Sequence, residues 1–479
     1  MFKRRAFSGG VFFLLAAVGC IANGSTQPVR LPDAETQKIN AEVKAAMRRF
    51  RVPGAAVMII RHGHVAFVGA YGLRDLARRL PVQDDTVFEI GSITKQFTAA
   101  SILQLQDAGK LQIDRPLSDY LPDAPHAKAV TLRQLLTLTS GLHDYLDIPP
   151  SQMDRLVSRP ISYRDLIARV APLPLDFAPG SRWSYSNTDY LLLGKVIEAV
   201  SGESYRDYLQ HHIFGLLHMT DTHTSGDEGS LPRMAVGYRQ ADSKLEVAPH
   251  IDPSWGGAAG FLVTTLRDLA IWDAALRGRR VVSQASYRQM TTPIMTTQNG
   301  SADYGFGLFV DSVYGQPRIG HTGGSLAFTA ADEYFPRQDV RIVAFTNLGN
   351  EAPEAGEMLT NIVFADLYPE IAAAARRASP GENPTITLTV HDAFRELQTG
   401  RGYVRFNAHN RDKLAGAVGT NFVAALGPYG PPTAETFKGI HHDANKTWYN
   451  YVIQFGPGVS LPFAVTIDHD GKVAGISVG

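Results

Sequence analysis

The spacing of apolar residues in the first half of the chain predicts two strands near its start and helices after them. Apolar residues recur at helical spacing over residues 35–50, which predicts an amphipathic helix. Two apolar runs at 55–60 and 65–68 are separated by a His-Gly turn and predict a β-hairpin. Residues 92–217 are mostly helical in pattern and are punctuated by Pro and Gly, so a helical segment is expected after the hairpin.

The strand pattern returns beyond residue 320. Runs at 326–335 and 340–345 predict two further strands, and the spacing over 354–367 predicts a helix. Residues 35–370 therefore have strands at both ends and helices between them. This order favours an α+β domain whose sheet recruits both ends of the segment.

A second, smaller unit is predicted after this domain. Residues 371–385 contain small residues and two prolines without apolar periodicity, which is typical of a linker. Residues 386–479 include an alternating strand at 448–455 and a final hairpin that turns at 468–471. They predict a small α+β accessory module. Because the module carries no recognisable catalytic motif, catalysis is expected to persist without it.

The composition is that of a globular protein with no charge bias toward a polymeric partner. The 479 residues include 46 basic and 46 acidic side chains, so the chain is formally neutral, and no nucleic-acid partner is expected. The length favours more than one folding unit. The sequence contains no glycine-rich nucleotide motif and no H-E-x-x-H, so neither a cofactor nor a metal ion is expected.

The N-terminal residues 1–24 have the order of a secretory signal peptide. Lys3, Arg4 and Arg5 precede an apolar run at 11–18, which is too short to span a bilayer, as is every later apolar stretch. We therefore expect an exported protein, periplasmic or secreted. Cys20 is the only cysteine, and it is either removed with the signal or lipidated as a membrane anchor. Both readings stay open, and neither leaves a disulfide in the mature body.

The first chemical signal is the pair Ser92 and Lys95. A Ser at the start of a predicted helix is ordinarily a helix cap. With a Lys three residues later, however, both side chains lie on one face of the helix. A desolvated amine beside a hydroxyl can take its proton, and Ser-Lys is a known alternative to the Ser-His-Asp arrangement. The S-x-x-K pattern alone is weak evidence for a catalytic Ser-Lys pair.

Two further motifs follow in order along the chain. Residues 185–187 form Tyr-Ser-Asn, and residues 320–324 form Gly-His-Thr-Gly-Gly between predicted strands. S-x-x-K, Y-x-N and H-T-G in this order resemble the motifs of serine β-lactamases and penicillin-binding proteins. The resemblance is closest to the branch of class C β-lactamases, D-aminopeptidases and family-VIII esterases. It implies an antiparallel sheet flanked by helices plus a helical subdomain.

Other segments extend the resemblance over roughly residues 35–370. Residues 132–143 are similar to the L-R-x-L-L-x-H-T-S-G-L segment of that branch, with Leu138 where His is common. Residues 216–222 are similar to its P-L-G-M-x-x-T, with His218 in the Gly position. Residues 257–269 and 304–308 also fit. The C-terminal module lies outside the resemblance.

The resemblance implies a role for each matched residue. Ser92 is the nucleophile that is acylated, and Lys95 eases its deprotonation. Tyr185 bonds the same hydroxyl and protonates the leaving group, which requires the pKa of its phenol to fall under the Lys95 charge. Which of the two is the resting base stays open. Asn187 orients the acyl group, and the backbone N–H groups of Ser92 and Gly324 form the oxyanion hole.

The H-T-G motif bears on the substrate. His321, Thr322 and Gly323 are expected to contact it, and His321 stands where β-lactamases and carboxypeptidases carry a permanent Lys charge. The alternative is that His321 only packs or hydrogen-bonds within its strand. A lost charge favours an esterase or D-amino-acid peptidase acting on small esters, amides or peptides, including peptidoglycan-derived ones. A D-Ala-D-Ala carboxypeptidase or β-lactamase, and a penicillin-binding sensor that is acylated without turnover, are the alternatives.

Overall fold

The computed structural model describes residues 30–224, 231–241, 244–298, 300–349, 354–377, 379–443, 446–456 and 459–478. The signal peptide predicted over 1–24, with Cys20, lies outside them. The α-helices of these residues are α1 (Asp33–Phe50), α2 (Thr94–Asp107), α3 (Leu132–Leu136), α4 (Pro150–Val157), α5 (Tyr163–Val170), α6 (Asn187–Ser201), α7 (Tyr205–Leu209), α8 (Gly215–Leu217), α9 (Leu266–Arg277), α10 (Gln284–Met290), α11 (Ala355–Leu367), α12 (Pro369–Ala375), α13 (Pro384–Thr399), α14 (Ala408–Leu414) and α15 (Ala417–Leu426). None of the helices in these ranges is long and apolar enough to cross a membrane.

The strands form one large sheet and several smaller ones. They are β1 (Gly54–Arg61), β2 (His64–Asp75), β3 (Leu80–Pro81), β4 (Phe88–Glu89), β5 (His223–Thr224), β6 (Tyr238–Ala241), β7 (Lys244–Val247), β8 (Leu262–Thr264), β9 (Met295–Thr296), β10 (Gly300–Ser301), β11 (Phe309–Val313), β12 (Gln316–Gly324), β13 (Thr329–Phe335), β14 (Val340–Thr346), β15 (Ala434–Asp443), β16 (Lys446–Gly456), β17 (Val459–Ile467) and β18 (Val473–Val478). The predicted strand at 326–335 thus begins three residues later, at Thr329.

The central sheet has seven strands in the order β11-β12-β13-β14-β1-β2-β3, and every pairing is antiparallel. The N-terminal hairpin joins the later strands because β1 pairs with β14, Ala55 lying opposite Thr346. The prediction that both ends of the segment enter one sheet of an α+β domain is confirmed. This arrangement matters for function because β12, which carries the H-T-G motif, lies near the sheet edge.

The sheet separates two apolar cores, and β1 faces both. Ala56, Met58 and Ile60 point into the core shared with the helical middle of the chain. The alternate residues of the strand point into the second core, which α1 and α11 cover. Because both faces are covered, β1 is a continuous apolar run rather than an alternating one.

The C-terminal module consists of α13–α15 and the four-stranded antiparallel sheet β15-β16-β17-β18. Its core is continuous with the second core of the hydrolase part: Phe394 and Phe455 belong to the same buried cluster as Val43 and Phe364. The predicted linker at 371–385 is not wholly irregular, because its first residues complete α12, Pro369–Ala375. Alanines have high helix propensity, and Pro369 at the first helical position favours a helix start.

Candidate active site

Ser92 lies in a short 3₁₀ turn, Gly91–Ile93, that leads directly into α2. The alternative reading of Ser92 as a helix cap does not hold, because Ile93 occupies the N-cap position of α2, without a capping side chain. Thr94 stabilises the turn instead, because its hydroxyl donates a hydrogen bond to the Gly91 carbonyl oxygen at 2.7 Å. The Ser92 hydroxyl is therefore available to other groups of the site.

Lys95 is the central polar group of the site and is fully buried at 0% exposure. Its Nζ lies 3.0 Å from Ser92 Oγ, 2.9 Å from Asn187 Oδ1 and 2.6 Å from the Ala259 carbonyl oxygen. The Ala259 carbonyl was not predicted as a site group, since a backbone acceptor leaves no sequence motif. These three contacts hold the Lys95 amine against the Ser92 hydroxyl.

Burial lowers the pKa of Lys95 to about 7, while the charges of Asp144 and Asp189 oppose the decrease. A neutral amine has two N–H donors and one lone pair. Asn187 Oδ1 and the Ala259 carbonyl oxygen can only accept, so they take the two hydrogens. The lone pair is left for Ser92 Oγ. The arrangement therefore presents Lys95 as a base toward the Ser92 hydroxyl.

Tyr185 also reaches the Ser92 hydroxyl, with which it shares a side-chain hydrogen bond. Its ring lies beside Lys95, whose Nζ is 4.7 Å from the ring centroid. The expectation that the pKa of Tyr185 falls under the Lys95 charge is wrong: burial raises it well above the usual value, and the bond to Ser92 opposes the increase only in part. Burial penalises the phenolate and also removes part of the Lys95 charge. Tyr185 thus stays protonated as a donor.

Asn187 begins α6 and is oriented by a residue that sequence reasoning missed. Its Nδ2 donates to Asp144 Oδ2 at 2.9 Å, which directs its Oδ1 toward Lys95. Asp144 directly follows the T-S-G-L-H segment at 139–143, and that adjacency was the only sequence signal for it. Asp189 is also buried beneath the site and receives the Ser140 hydroxyl at 2.6 Å.

Glycines let β12 approach the turn that carries Ser92. A side chain at Gly323 would place its Cβ 2.0 Å from the Ile90 carbonyl oxygen and 3.2 Å from the Ser92 nitrogen. Gly91 has φ +48°, and a Cβ there would lie 2.7 Å from the Gly324 nitrogen. Only glycine permits this contact. It brings together the backbone nitrogens of Ser92 and Gly324, the pair assigned to the oxyanion hole.

His321 is buried, with 2% of its surface exposed. Its Nδ1 faces the Thr322 carbonyl oxygen, which can only accept, so Nδ1 carries the proton. Its Nε2 then accepts from the Tyr304 hydroxyl at 3.1 Å. Burial, with the Lys95 charge as the next cause, lowers the pKa of His321 to about 3. His321 is therefore neutral at physiological pH.

The catalytic cavity measures about 320 Å³ and is lined by the predicted site residues Ser92, Tyr185, Asn187, Thr322 and Gly324, together with His321. Among its described lining residues, the charged side chains are the carboxylates Glu89 and Glu354, with no Lys or Arg. The described part of the chain also contains no group of three or more His, Asp or Glu arranged to hold a metal ion. The described lining of the cavity thus carries carboxylates but no permanently positive side chain.

Comparison with known proteins gives the same family as the motifs. The sequence profile of the family described as Beta-lactamase matches residues 39–367. The PbpX protein of Bacillus subtilis, named as a penicillin-binding protein, is 30% identical over 314 residues, which are 65% of this chain and 75% of the relative.

Solved structures extend the similarity to the fold. A D-stereospecific amidohydrolase from Streptomyces sp. superposes with a TM-score of 0.58 at 27% identity, covering 68% of this chain and 97% of that one. The octameric penicillin-binding protein homologue from Pyrococcus abyssi, at 22% identity and a TM-score of 0.61, shares the fold over 93% of this chain and 100% of its own. The chain therefore belongs to the β-lactamase family and is a serine hydrolase of the superfamily that also contains the penicillin-binding proteins.

Proposed function

We propose that this enzyme hydrolyses small esters or amides through an acyl-enzyme on Ser92, and that it disfavours substrates that depend on a carboxylate anchor. The preference against carboxylate-anchored substrates rests mainly on the described lining of the catalytic cavity, which includes no Lys or Arg. The neutral state of His321 supports it, because its ring offers no charge near the reacting bond.

The acylation step follows from the contacts of Lys95. The neutral Lys95 amine takes the Ser92 proton while Ser92 Oγ attacks the substrate carbonyl carbon. The backbone N–H groups of Ser92 and Gly324 stabilise the oxyanion, and removal of one such donor typically costs about 3 kcal/mol. Tyr185 donates its proton to the leaving group as the carbonyl re-forms, and the Lys95 ammonium returns a proton to Tyr185.

Deacylation uses the same groups in reverse. Tyr185 takes a proton from the attacking water and passes its own to the Lys95 amine, and the Lys95 ammonium returns a proton to Ser92 Oγ as it leaves the acyl carbon. An acyl-enzyme forms in a hydrolase and in a penicillin-binding sensor alike. The lifetime of this acyl-enzyme therefore distinguishes the two. A β-lactamase or D-Ala-D-Ala carboxypeptidase is distinguished by its preference for substrates that carry a carboxylate.

The decisive experiment is intact-mass analysis of wild type and Ser92→Ala after treatment with a fluorophosphonate and, separately, with a penicillin. Labelling of wild type but not of Ser92→Ala is expected. Hydrolysis of p-nitrophenyl acetate should exceed that of a chromogenic cephalosporin. Labelling that persists in Ser92→Ala contradicts the nucleophile. A penicillin adduct stable for hours contradicts turnover and favours the sensor.

We also infer that the protein is exported by the signal predicted over residues 1–24, which supports access to peptidoglycan-derived amides. Fractionation of expressing bacteria tests this inference, with the mature protein expected outside the cytoplasm. Metabolic labelling with a fatty-acid analogue, compared between wild type and Cys20→Ser, distinguishes a lipid-anchored protein from one whose signal is cleaved beyond Cys20. Retention of the full-length chain in the cytoplasm would contradict export.

A further inference from the structure

A second cavity, of about 850 Å³, lies between the hydrolase part and the C-terminal module. One wall is the edge of the central sheet, β11 and β12, together with the start of α11. The opposite wall is the sheet of the module, where Val452, Gln454, Ser460 and Pro462 line the cavity. Its volume lies within the range of small-molecule sites in proteins.

This second cavity adjoins the catalytic one. Phe309, Thr322 and Glu354 line both. Thr322 belongs to the H-T-G motif, and the charge of Glu354 acts on Tyr185, whose pKa it helps to raise. A substrate attached to Ser92 can therefore extend past these three residues toward the C-terminal module.

The cationic side chains on the walls of this cavity are already engaged. Arg318 is held by the three carboxylates of Asp311, Glu333 and Glu357. Lys438 donates to two backbone carbonyls near the end of α12. Arg376 is exposed and shares a side-chain hydrogen bond with Tyr314. These donors leave little capacity to bind an anionic ligand.

Two acceptors in the same cavity are not engaged. Among the described residues, the Glu354 side chain has no hydrogen bond or ion pair, and it is half-buried at the junction with the catalytic cavity. Asn361 Oδ1 is buried and also has no partner in the described part of the chain. Burial, followed by the nearby charge of Glu357, raises the pKa of Glu354. A bound cation would offset both the cost of burying the Glu354 charge and its repulsion from Glu357.

We propose that the C-terminal module completes an extended substrate-binding region, and that Glu354 at its junction with the catalytic cavity binds an ammonium group of the substrate. The preferred substrates are then amides or esters with a free amine, such as short peptides, rather than carboxylate-anchored ones. The inference rests on the proposed acyl-enzyme function and names its substrate class. It also assigns the module a role that its lack of catalytic motifs did not indicate.

The test compares alanyl-p-nitroanilide, whose amine is cationic, with its N-acetylated counterpart, using both enantiomers and the full chain. In wild type, kcat/KM should favour the free amine. Glu354→Gln keeps the shape of the side chain and should lower this preference about ten-fold or more, mainly through KM, as expected for the loss of a charged hydrogen bond. Glu246→Gln, at an exposed carboxylate of β7 that pairs with Arg239, is the matched control and should leave the preference unchanged.

A second variant tests the module wall without disturbing its core. Ser460 is exposed and lines the cavity, so Ser460→Trp should lower kcat/KM for an alanyl tripeptide amide relative to p-nitrophenyl acetate. Ser477→Trp, at an exposed residue of the edge strand β18 outside the cavity lining, is its control. Equal use of free and acetylated amines by an enzyme that is still labelled at Ser92 would overturn this inference alone. Loss of labelling in wild type would overturn the proposed function as well.

Discussion

Asp144→Asn provides a direct test of Lys95 as the base. Only the neutral amine can accept the Ser92 proton, so kcat/KM should rise with pH through the pKa of Lys95, about 7, and then level off. Below that value it should fall about ten-fold per pH unit. The negative charge of Asp144 raises the pKa of Lys95, and its removal must lower that pKa. The acid limb of the pH profile should therefore move to lower pH.

The size of the shift follows from the contacts through Asn187. Lys95 Nζ lies 2.9 Å from Asn187 Oδ1, and Asn187 Nδ2 lies 2.9 Å from Asp144 Oδ2. The two charges are therefore separated by at most about 8 Å, since the amide oxygen and nitrogen are roughly 2 Å apart. With an effective dielectric constant of about 20, their interaction is worth about 2 kcal/mol, or about 1.5 pH units.

The assay is kcat/KM for p-nitrophenyl acetate between pH 5 and 9, measured for wild type and Asp144→Asn. Asparagine retains an acceptor for Asn187 Nδ2, so the orientation of Asn187 is kept. Asp147→Asn is the matched control, because Asp147 is exposed and pairs with His143 instead. An acid limb that stays in place, or moves to higher pH, would refute the assignment of Lys95 as the titrating base.

Three further outcomes are expected. The ratio of cephalosporin to ester hydrolysis should stay constant between pH 6 and 8, because His321, with a pKa of about 3, does not change its charge there; a rising ratio at low pH would show a charged His321. Arg341→Met should lower the free energy of unfolding in urea by about 3–5 kcal/mol, because it leaves the buried Asp332 carboxylate without its ion-pair partner and the buried Asp273 carboxylate with Arg277 alone; an unchanged midpoint would contradict this. Gly323→Ala should reduce fluorophosphonate labelling at least about a hundred-fold while the protein stays folded by circular dichroism, since the new Cβ would lie 2.0 Å from the Ile90 carbonyl oxygen. Gly427→Ala, where a Cβ has open space, should label as wild type does.

Much of the fold and the family were predictable from local pattern. The apolar spacing that marks α1, β1 and α11 depends on residues close together in the chain, and so does the register of Ser92 and Lys95 on one helical turn. The order of the three motifs was sufficient to predict the family. The resemblance to that family also predicted the antiparallel sheet of the α+β fold.

The charge states of the site depended on contacts between distant residues. Lys95 meets Asn187 and the Ala259 carbonyl across 92 and 164 positions of sequence, and this enclosure lowers its pKa to about 7. His321 loses its charge for the same reason, while the raised pKa of Tyr185 reverses the sequence expectation. A pKa depends on the solvent and charges around a group, and a motif does not encode those surroundings.

The placement of the C-terminal module was likewise decided only by tertiary structure. Its sequence predicted a separate accessory unit, because the linker at 371–385 and the absence of motifs are local features. The folded chain instead joins its core to that of the hydrolase and brings β16 and β17 to face Glu354 across a shared cavity. Sequence alone determined the chemistry that Ser92 can perform. Packing between distant segments decided the pKa values of the groups around Ser92 and the shape of the cavity beside it, because burial and cavity shape arise only when those segments meet.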